Sequence, residues 1–255
     1  MKTVLLKLCG PMQSWGTSSH FETRNTDYYP SKSAVIGIIA ASFGYRRDED
    51  EKIKKLNDLD FAVRVDQVGT LRKDFHIATK YKNNGDFERN YVTYRYYLED
   101  SVFIVALSSE DGKWMDEIIY ALKHPYFQQF MGRRSCPVPI DFVLQESELG
   151  ALDALKNLEW QASKKYQRRN KEYIADIYAD KELFDDEAYM TRNDRAVSFS
   201  QKERKFGPRF EARTSIKLYY KDDKEDKKAD YLGQDIDYFD SLEQWGERCI
   251  YQELK

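Results

Sequence analysis

The chain of 255 residues has 41 basic and 44 acidic side chains, three cysteines, and no apolar run near the roughly 20 residues that a transmembrane helix requires. This composition predicts a globular, cytosolic protein without a disulfide framework or a zinc site. The charge is segregated, since residues 222–255 have a net charge of −6 and residues 1–221 a net charge of +3. Such asymmetry favours a polyanion-binding body followed by an acidic end.

Apolar runs and turn signals predict strands that alternate with helices. The first helix is apolar nearly all round and is therefore expected to be buried, with Ser31 as its N-cap and Gly44 at its end. The second helix ends before Pro125. Strands are predicted at residues 2–8, 61–68 and 102–107, and helices at residues 31–44 and 113–124.

Residues 71–98 predict a long β-hairpin. Strand-like residues flank the turn signal at residues 83–86, which reads Asn-Asn-Gly-Asp. The segment contains seven aromatic and six basic residues, more rings than a two-stranded body can bury. Some of these rings are therefore expected to meet another surface.

These elements together predict an α+β fold. Residues 1–140 are expected to form a ferredoxin-like (RRM-like) domain with the hairpin inserted at about 71–98. Residues 141–255 are expected to form a smaller, β-rich C-terminal part. The pattern leaves open whether that part is a separate lobe or a set of additions to the first domain.

The sequence offers little support for catalysis. His20, His76 and His124 lie on separate segments outside any metal signature, and motifs for acyl transfer, NTP hydrolysis and dinucleotide binding are missing from the sequence. No catalytic residue, metal ion or cofactor is predicted. One metal-free alternative remains, namely RNA cleavage by general acid and base groups from His76, Lys80 and Tyr81. On a strand, His76 and Lys80 would share a face and Tyr81 would point to the other, which weakens this alternative.

Several basic residues point to nucleic acid. Lys32 and Ser33 lie in the first turn of the buried helix, where N–H groups and the helix dipole favour a phosphate, although Ser31 could equally be only a cap. Arg133 and Arg134 lie in a loop that suits phosphate or base-edge contact. Two further basic clusters lie at residues 164–171 and 192–213. For each cluster the alternatives are a solvated surface or an acidic protein partner.

Five short motifs follow one another along the first 140 residues. They are GPMQSWG (10–16), RNT (24–26), PSKSAVIG (30–37), LRKDFH (71–76) and MGRRSCP (131–137). Their order and spacing resemble the CasD-type subunits of Cascade, the type I-E CRISPR surveillance complex. The resemblance fades toward the C-terminus and implies no role for residues 164–171 or for the acidic end.

The resemblance implies a non-catalytic, RNA-binding subunit that serves antiviral defence. Such a subunit would hold the 5′ handle of the crRNA and contact the backbone subunit and the large PAM-reading subunit, and an indirect contact with target DNA is left open. The alternatives are a metal-free endoribonuclease acting on CRISPR repeat RNA, as the corresponding type I-C subunit does, and a protein-interaction module without an RNA role. The implied handle-binding residues are Gln13, Ser14, Trp15, Arg24, Lys32, Ser33, Arg72, His76, Arg133 and Arg134.

Overall fold

The computed structural model describes residues 1–20, 22–185 and 188–221. The predicted acidic end, residues 222–255, lies outside this range. The strands are β1 (Lys2–Cys9), β2 (Met12–Gln13), β3 (Thr23–Arg24), β4 (Asp60–Gln67), β5 (Thr70–Tyr81), β6 (Phe87–Glu99), β7 (Val102–Ser109), β8 (Val143–Ser147), β9 (Glu172–Asp180), β10 (Tyr189–Ser198) and β11 (Lys205–Tyr219). The α-helices are α1 (Lys32–Phe43), α2 (Asp50–Lys55), α3 (Gly112–Lys123), α4 (Ala151–Asn157) and α5 (Lys164–Asn170).

A seven-stranded antiparallel sheet forms the centre, in the order β10–β11–β9–β4–β7–β1–β8. The α+β class is confirmed, and the predicted strands and helices of the first 125 residues are present. The ferredoxin-like assignment stays a prediction. Strands β8 to β11 all extend this one sheet, so the predicted boundary near residue 140 does not coincide with a break in it.

Helices cover both faces of the sheet. On one face α1 and α3 pack on β1, β4 and β7, and Ile36, Ile39 and Ile118 are buried there. Ser31 caps α1 and Gly44 ends it at φ 76°, a left-handed conformation that favours glycine. On the other face α4 packs onto the same three strands. No helix in the described ranges is long and apolar enough to cross a membrane.

One end of the sheet is called the hairpin end, and it is marked by the last residues of β1 and β4 and the first residue of β7. Cys9 at the end of β1 and Gln67 at the end of β4 both pair with Val102, the first residue of β7. The hairpin of β5 and β6 connects β4 to β7 and therefore leaves the sheet at this end. The C-terminal ends of α1 and α3 meet where the Gln129 amide donates to Ser42 Oγ and Leu122 O.

The hairpin forms where it is predicted. β5 and β6 pair from Thr70 with Glu99 to Tyr81 with Phe87, and Gly85 (φ 88°) lies in the turn between them. At its base β6 also pairs with β2 and β3, which makes a small second sheet. This second sheet holds the hairpin against the loops that follow β1.

Candidate nucleic-acid interface

Segments far apart in the sequence converge at the base of the hairpin. The Ser14 N–H donates to Met131 O at 3.2 Å, and Arg133 Nη2 donates to Arg24 O at 3.1 Å. Arg133 Nη2 also donates to Tyr96 O at 3.2 Å. The hairpin-base cluster is defined here as residues 12–15, 23–24, 94–98 and 131–137. It unites three of the five motif segments that the sequence shows separately. A fourth, residues 71–76, pairs with residues 94–98 across the hairpin, and the exception is the start of α1.

A glycine allows the 131–137 loop to approach the loop after β1. Gly132 has φ 80°, a left-handed backbone conformation that disfavours side chains. A Cβ atom on this residue would lie 1.7 Å from Ser14 O. The close approach of the two loops therefore requires glycine at this position.

Gln13, Ser14 and Trp15 form the buried floor of the hairpin-base cluster. Gln13 Nε2 donates to Leu8 O at 3.2 Å and to Ser101 O at 2.7 Å, and its Oε1 accepts from Trp15 Nε1 at 3.0 Å. Ser14 Oγ donates to a backbone carbonyl of β6. Because their polar groups are engaged within the chain, these residues position the cluster, and direct contact of their side chains with RNA is not supported.

The two adjacent arginines of the 131–137 loop have different surroundings. The guanidinium of Arg133 lies 4.2 Å from the centre of the Tyr97 ring and donates to two carbonyl groups. Its Nη1 is buried without a hydrogen-bond partner among the described residues. Arg134 is exposed and has no ion pair within the described ranges. Arg134 is therefore the arginine of this loop that can reach an external phosphate.

The hairpin carries a basic face. Directly opposite residues of β5 and β6 share a face, and successive residues alternate between faces. Arg72 is opposite Tyr97, and Asp74 is opposite Arg95. Arg24 of β3 pairs with Arg95 and joins the same face. The basic face consists of Arg24, Arg72, Asp74, His76, Lys80, Arg89, Tyr91, Arg95 and Tyr97.

Cations outnumber acidic partners on the basic face. Hydrogen bonding to Glu99 raises the pKa of Arg72, which stays charged. Arg24, Arg89 and Arg95 have no ion pair with any residue that the structure describes. Sequence reasoning missed Arg89 and Arg95, although strand alternation with Arg72 could have found them. Ion pairs on the hairpin join Arg72 with Glu99, His76 with Asp74, and Lys80 with Glu88.

The opposite face of the hairpin is apolar and open to solvent. Phe75 is 62% exposed and Ile77 is 59% exposed. Lys73 Nζ lies 3.9 Å from the centre of the Tyr94 ring. Exposed apolar surface of this extent marks an interaction site in a natural protein. The apolar face consists of Leu71, Phe75, Ile77, Tyr81, Phe87, Val92 and Tyr94, all of them exposed.

The start of α1 does not belong to this interface. Lys32 is buried, and its Nζ donates to Asn57 O, Leu59 O and Asp180 Oδ2 at 2.7–2.9 Å. The carboxylate of Asp194 accepts from the Lys32 backbone N–H, where a phosphate was expected. Lys32 and the buried Ser33 lie beside the start of β4, at the end of the sheet away from the hairpin. Their predicted phosphate contact is not supported by this geometry.

The basic cluster at residues 192–213 is also largely structural. Arg209 is buried and donates to Asp180, Asp194 and Glu211 at 2.5–3.0 Å. Arg192 is nearly buried and lies against Asp194 and Glu211 as well as Asp27. These ion pairs fasten β9, β10 and β11 to the start of α1. The sequence gives no sign of this burial because the acidic partners are distant or lie across the sheet.

The interface offers few groups for chemistry. His76 Nε2 lies 3.0 Å from Asp74 Oδ2 on the basic face. Lys80 shares this face and Tyr81 lies on the other, as the sequence predicts. Burial raises the pKa of the Cys136 thiol in the 131–137 loop and keeps it protonated at neutral pH. Among the described residues, no three His, Cys, Asp or Glu side chains are grouped as metal ligands.

Comparison with known proteins identifies the family. A family model described as CRISPR-associated protein (Cas_Cas5) matches residues 3–211. The CRISPR system Cascade subunit CasD of Escherichia coli (strain K12) is 31% identical over 149 residues, which cover 53% of this chain and 66% of that protein, slightly less than two thirds of its length.

Solved structures agree with this match. A chain of a CRISPR RNA-guided surveillance complex is 29% identical, with a TM-score of 0.70 over 85% of this chain and 91% of that one. A structure described as a Cas protein is 29% identical, with a TM-score of 0.60 over 84% of this chain and 94% of that one. Since the family model spans nearly all of the first 211 residues, this chain belongs to the Cas5 family of CRISPR-associated proteins.

Proposed function

We propose that this chain is a non-catalytic subunit of a Cascade-type complex in antiviral defence and that it holds the 5′ handle of the crRNA. The observation that carries the proposal is the continuity of the basic face with the hairpin-base cluster. Arg24, Arg72 and Arg95 meet there from three strands, and Arg134 is exposed on the adjoining loop. The similarity to a chain of an RNA-guided surveillance complex supports the same assignment.

Binding of an unpaired strand follows from the chemistry of the basic face. Guanidinium groups neutralise phosphates and form paired hydrogen bonds with their oxygens. Their planes also stack on unpaired bases, as the Arg89 guanidinium stacks on the Tyr91 ring at 4.3 Å in this chain. The buried floor of Gln13, Ser14 and Trp15 fixes the loops that carry these cations. The proposed surface therefore binds the RNA and holds it in an ordered conformation, and it catalyses no reaction.

The apolar face of the hairpin completes the proposed role. A ribbon with seven exposed apolar side chains on one face is expected to be covered by a protein. We assign this contact to the adjacent backbone subunit of the complex. A contact with the large PAM-reading subunit also belongs to the proposed role.

The test compares matched pairs of charge-neutralising substitutions. In the reconstituted complex, Arg72→Gln with Arg95→Gln is expected to weaken handle-RNA binding about tenfold. It is also expected to lower the slope of log K against log salt concentration by about 0.7 for each phosphate that the variant no longer neutralises. Lys202→Gln with Arg204→Gln removes the same charge from the exposed turn between β10 and β11 and should have no effect. Equal affinities for both pairs would show that the basic face does not hold the handle.

One observation keeps the endoribonuclease as a second candidate. Asp74 orients the His76 ring on the basic face, as a general base requires. Incubating the purified chain with CRISPR repeat RNA in EDTA separates the two functions. Cleavage that His76→Ala abolishes would favour the enzyme, whereas intact RNA supports the non-catalytic role. Lack of any RNA crosslink in the assembled complex would instead favour a pure protein-interaction module.

A further inference from the structure

The basic segment 164–171 lies at the hairpin end of the sheet. The N–H and Oγ of Ser163, the N-cap of α5, both donate to Gln67 Oε1 at 3.1 Å. Gln67 Nε2 donates to Asp100 O at 2.7 Å. Because Gln67 ends β4 and Asp100 follows β6, α5 begins beside the root of the hairpin. The sequence separates this segment from the hairpin by more than 60 residues and does not predict the proximity.

Buried contacts hold α5 in place. A helix of seven residues is not stable in isolation, so tertiary contacts decide its position. Gln167 is buried, and its Nε2 donates to Trp160 O at 3.0 Å and Ala162 O at 2.7 Å. The rings of Trp160 and Tyr173 stack at 5.4 Å, and Tyr166 of α5 meets both rings edge-on. These contacts present the charged side chains of α5 from a fixed scaffold.

The segment presents cations without exposed rings. Residues 164–171 contain five basic and no acidic residues. Lys164, Lys165, Arg169 and Lys171 are exposed. The ring of Tyr166, the aromatic residue of the segment, is engaged in the ring cluster and is only partly exposed. The surface therefore differs from the hairpin, where exposed rings accompany the cations.

We propose that the cationic surface of residues 164–171 binds the sugar–phosphate backbone of a DNA duplex without reading its sequence. Sites for single strands combine cations with rings on which bases stack, and this surface has no fully exposed ring. A duplex presents one phosphate charge per about 1.7 Å of its axis, and cations alone suffice to bind it. The inference goes beyond handle binding and does not depend on it, since it uses other residues and another ligand.

The test uses the full chain and a labelled duplex of about 20 base pairs that lacks complementarity to the guide. Lys164→Gln, Lys165→Gln and Arg169→Gln together are expected to weaken duplex binding about tenfold and to lower the slope of log K against log salt by about 0.9 for each phosphate that is no longer neutralised. The control variant Lys202→Gln, Arg204→Gln, Lys205→Gln removes the same charge from the turn between β10 and β11 and from the first residue of β11, at the opposite end of the sheet.

The outcomes separate this surface from the handle site. Unchanged affinity for handle RNA together with weakened duplex binding supports the inference, and thermal melts that match the wild type exclude misfolding as the cause. Equal duplex affinity for the α5 variant and the control would overturn it. So would an α5 variant that loses handle RNA or subunit assembly instead, because the surface would then serve RNA or a protein. If only the variant Arg72→Gln with Arg95→Gln lost duplex binding, the duplex would bind the hairpin and the inference would be wrong.

Discussion

Arg133 and Arg134 are adjacent in the chain, yet truncating each to alanine is expected to have different consequences. Arg133→Ala leaves the carbonyl oxygen of Arg24 without its side-chain donor, and a buried carbonyl so exposed costs about 1–3 kcal/mol, whereas the carbonyl oxygen of Tyr96 keeps the Ser14 hydroxyl as donor. Loss of the guanidinium over the Tyr97 ring adds about 0.5–1 kcal/mol. Because the contact with the Arg24 carbonyl is only partly buried and admits water, we expect Arg133→Ala to lower the free energy of unfolding by about 1–3 kcal/mol.

Arg134→Ala is the matched control at the neighbouring position. The side chain is exposed, so the free energy of unfolding should change by no more than about 0.5 kcal/mol. Urea denaturation of the full chain followed by circular dichroism measures both changes, and handle-RNA affinity is measured beside it. Arg134→Ala should weaken RNA binding at unchanged stability. Equal urea midpoints for the two variants would refute the structural role of Arg133.

Three further predictions follow from buried groups. Gly132→Ala should lower the urea midpoint, since the left-handed backbone alone costs about 1–2 kcal/mol and the new Cβ overlaps a carbonyl oxygen; an unchanged midpoint would contradict the loop geometry. Arg64→Met should lower the free energy of unfolding by about 3–5 kcal/mol because it leaves the fully buried Asp66 carboxylate without its cationic partner. Adding Asp66→Leu should recover part of that loss in a double-mutant cycle measured by urea denaturation, and purely additive effects would argue against the pair. Burial raises the pKa of Asp60 above its ordinary value of 3.8. The protonated side chain therefore stabilises the folded state fully at a pH below 3.8, and this contribution is lost as the pH rises through the folded-state pKa. Asp60→Asn should therefore raise the Tm at pH 7 and lose this advantage near pH 3, whereas the opposite pH dependence would be inconsistent with the burial.

The two faces of the hairpin explain its unusual composition. A hairpin that packed only on its own chain would need one apolar and one solvated face, with the apolar face buried. Here the apolar face is exposed, and the other face concentrates arginine. Such a ribbon suits a position between a protein neighbour and a polyanion. Under the proposed function, the same alternation of residues serves two kinds of partner.

Local patterns in the sequence predict the elements of this fold. The apolar run of β1, the cap and glycine that bound α1, and the turn signal of the hairpin each act over a few residues, so each is legible without tertiary context. The segregation of His76 from Tyr81 also follows from strand alternation alone. Three of the family-specific motifs, at residues 10–16, 24–26 and 131–137, mark segments that converge at the hairpin base.

The tertiary structure alone decides which cations are available. Lys32 and Arg209 look like phosphate ligands in the sequence, but acidic groups from β9, β10 and β11 bury and neutralise them. Arg133 supports its neighbours, whereas Arg134 faces solvent. Basic side chains are identical in a sequence whether they bind a carboxylate inside the protein or a phosphate outside it. The difference is a matter of burial and of partners distant along the chain, and both arise only when the sheet is assembled.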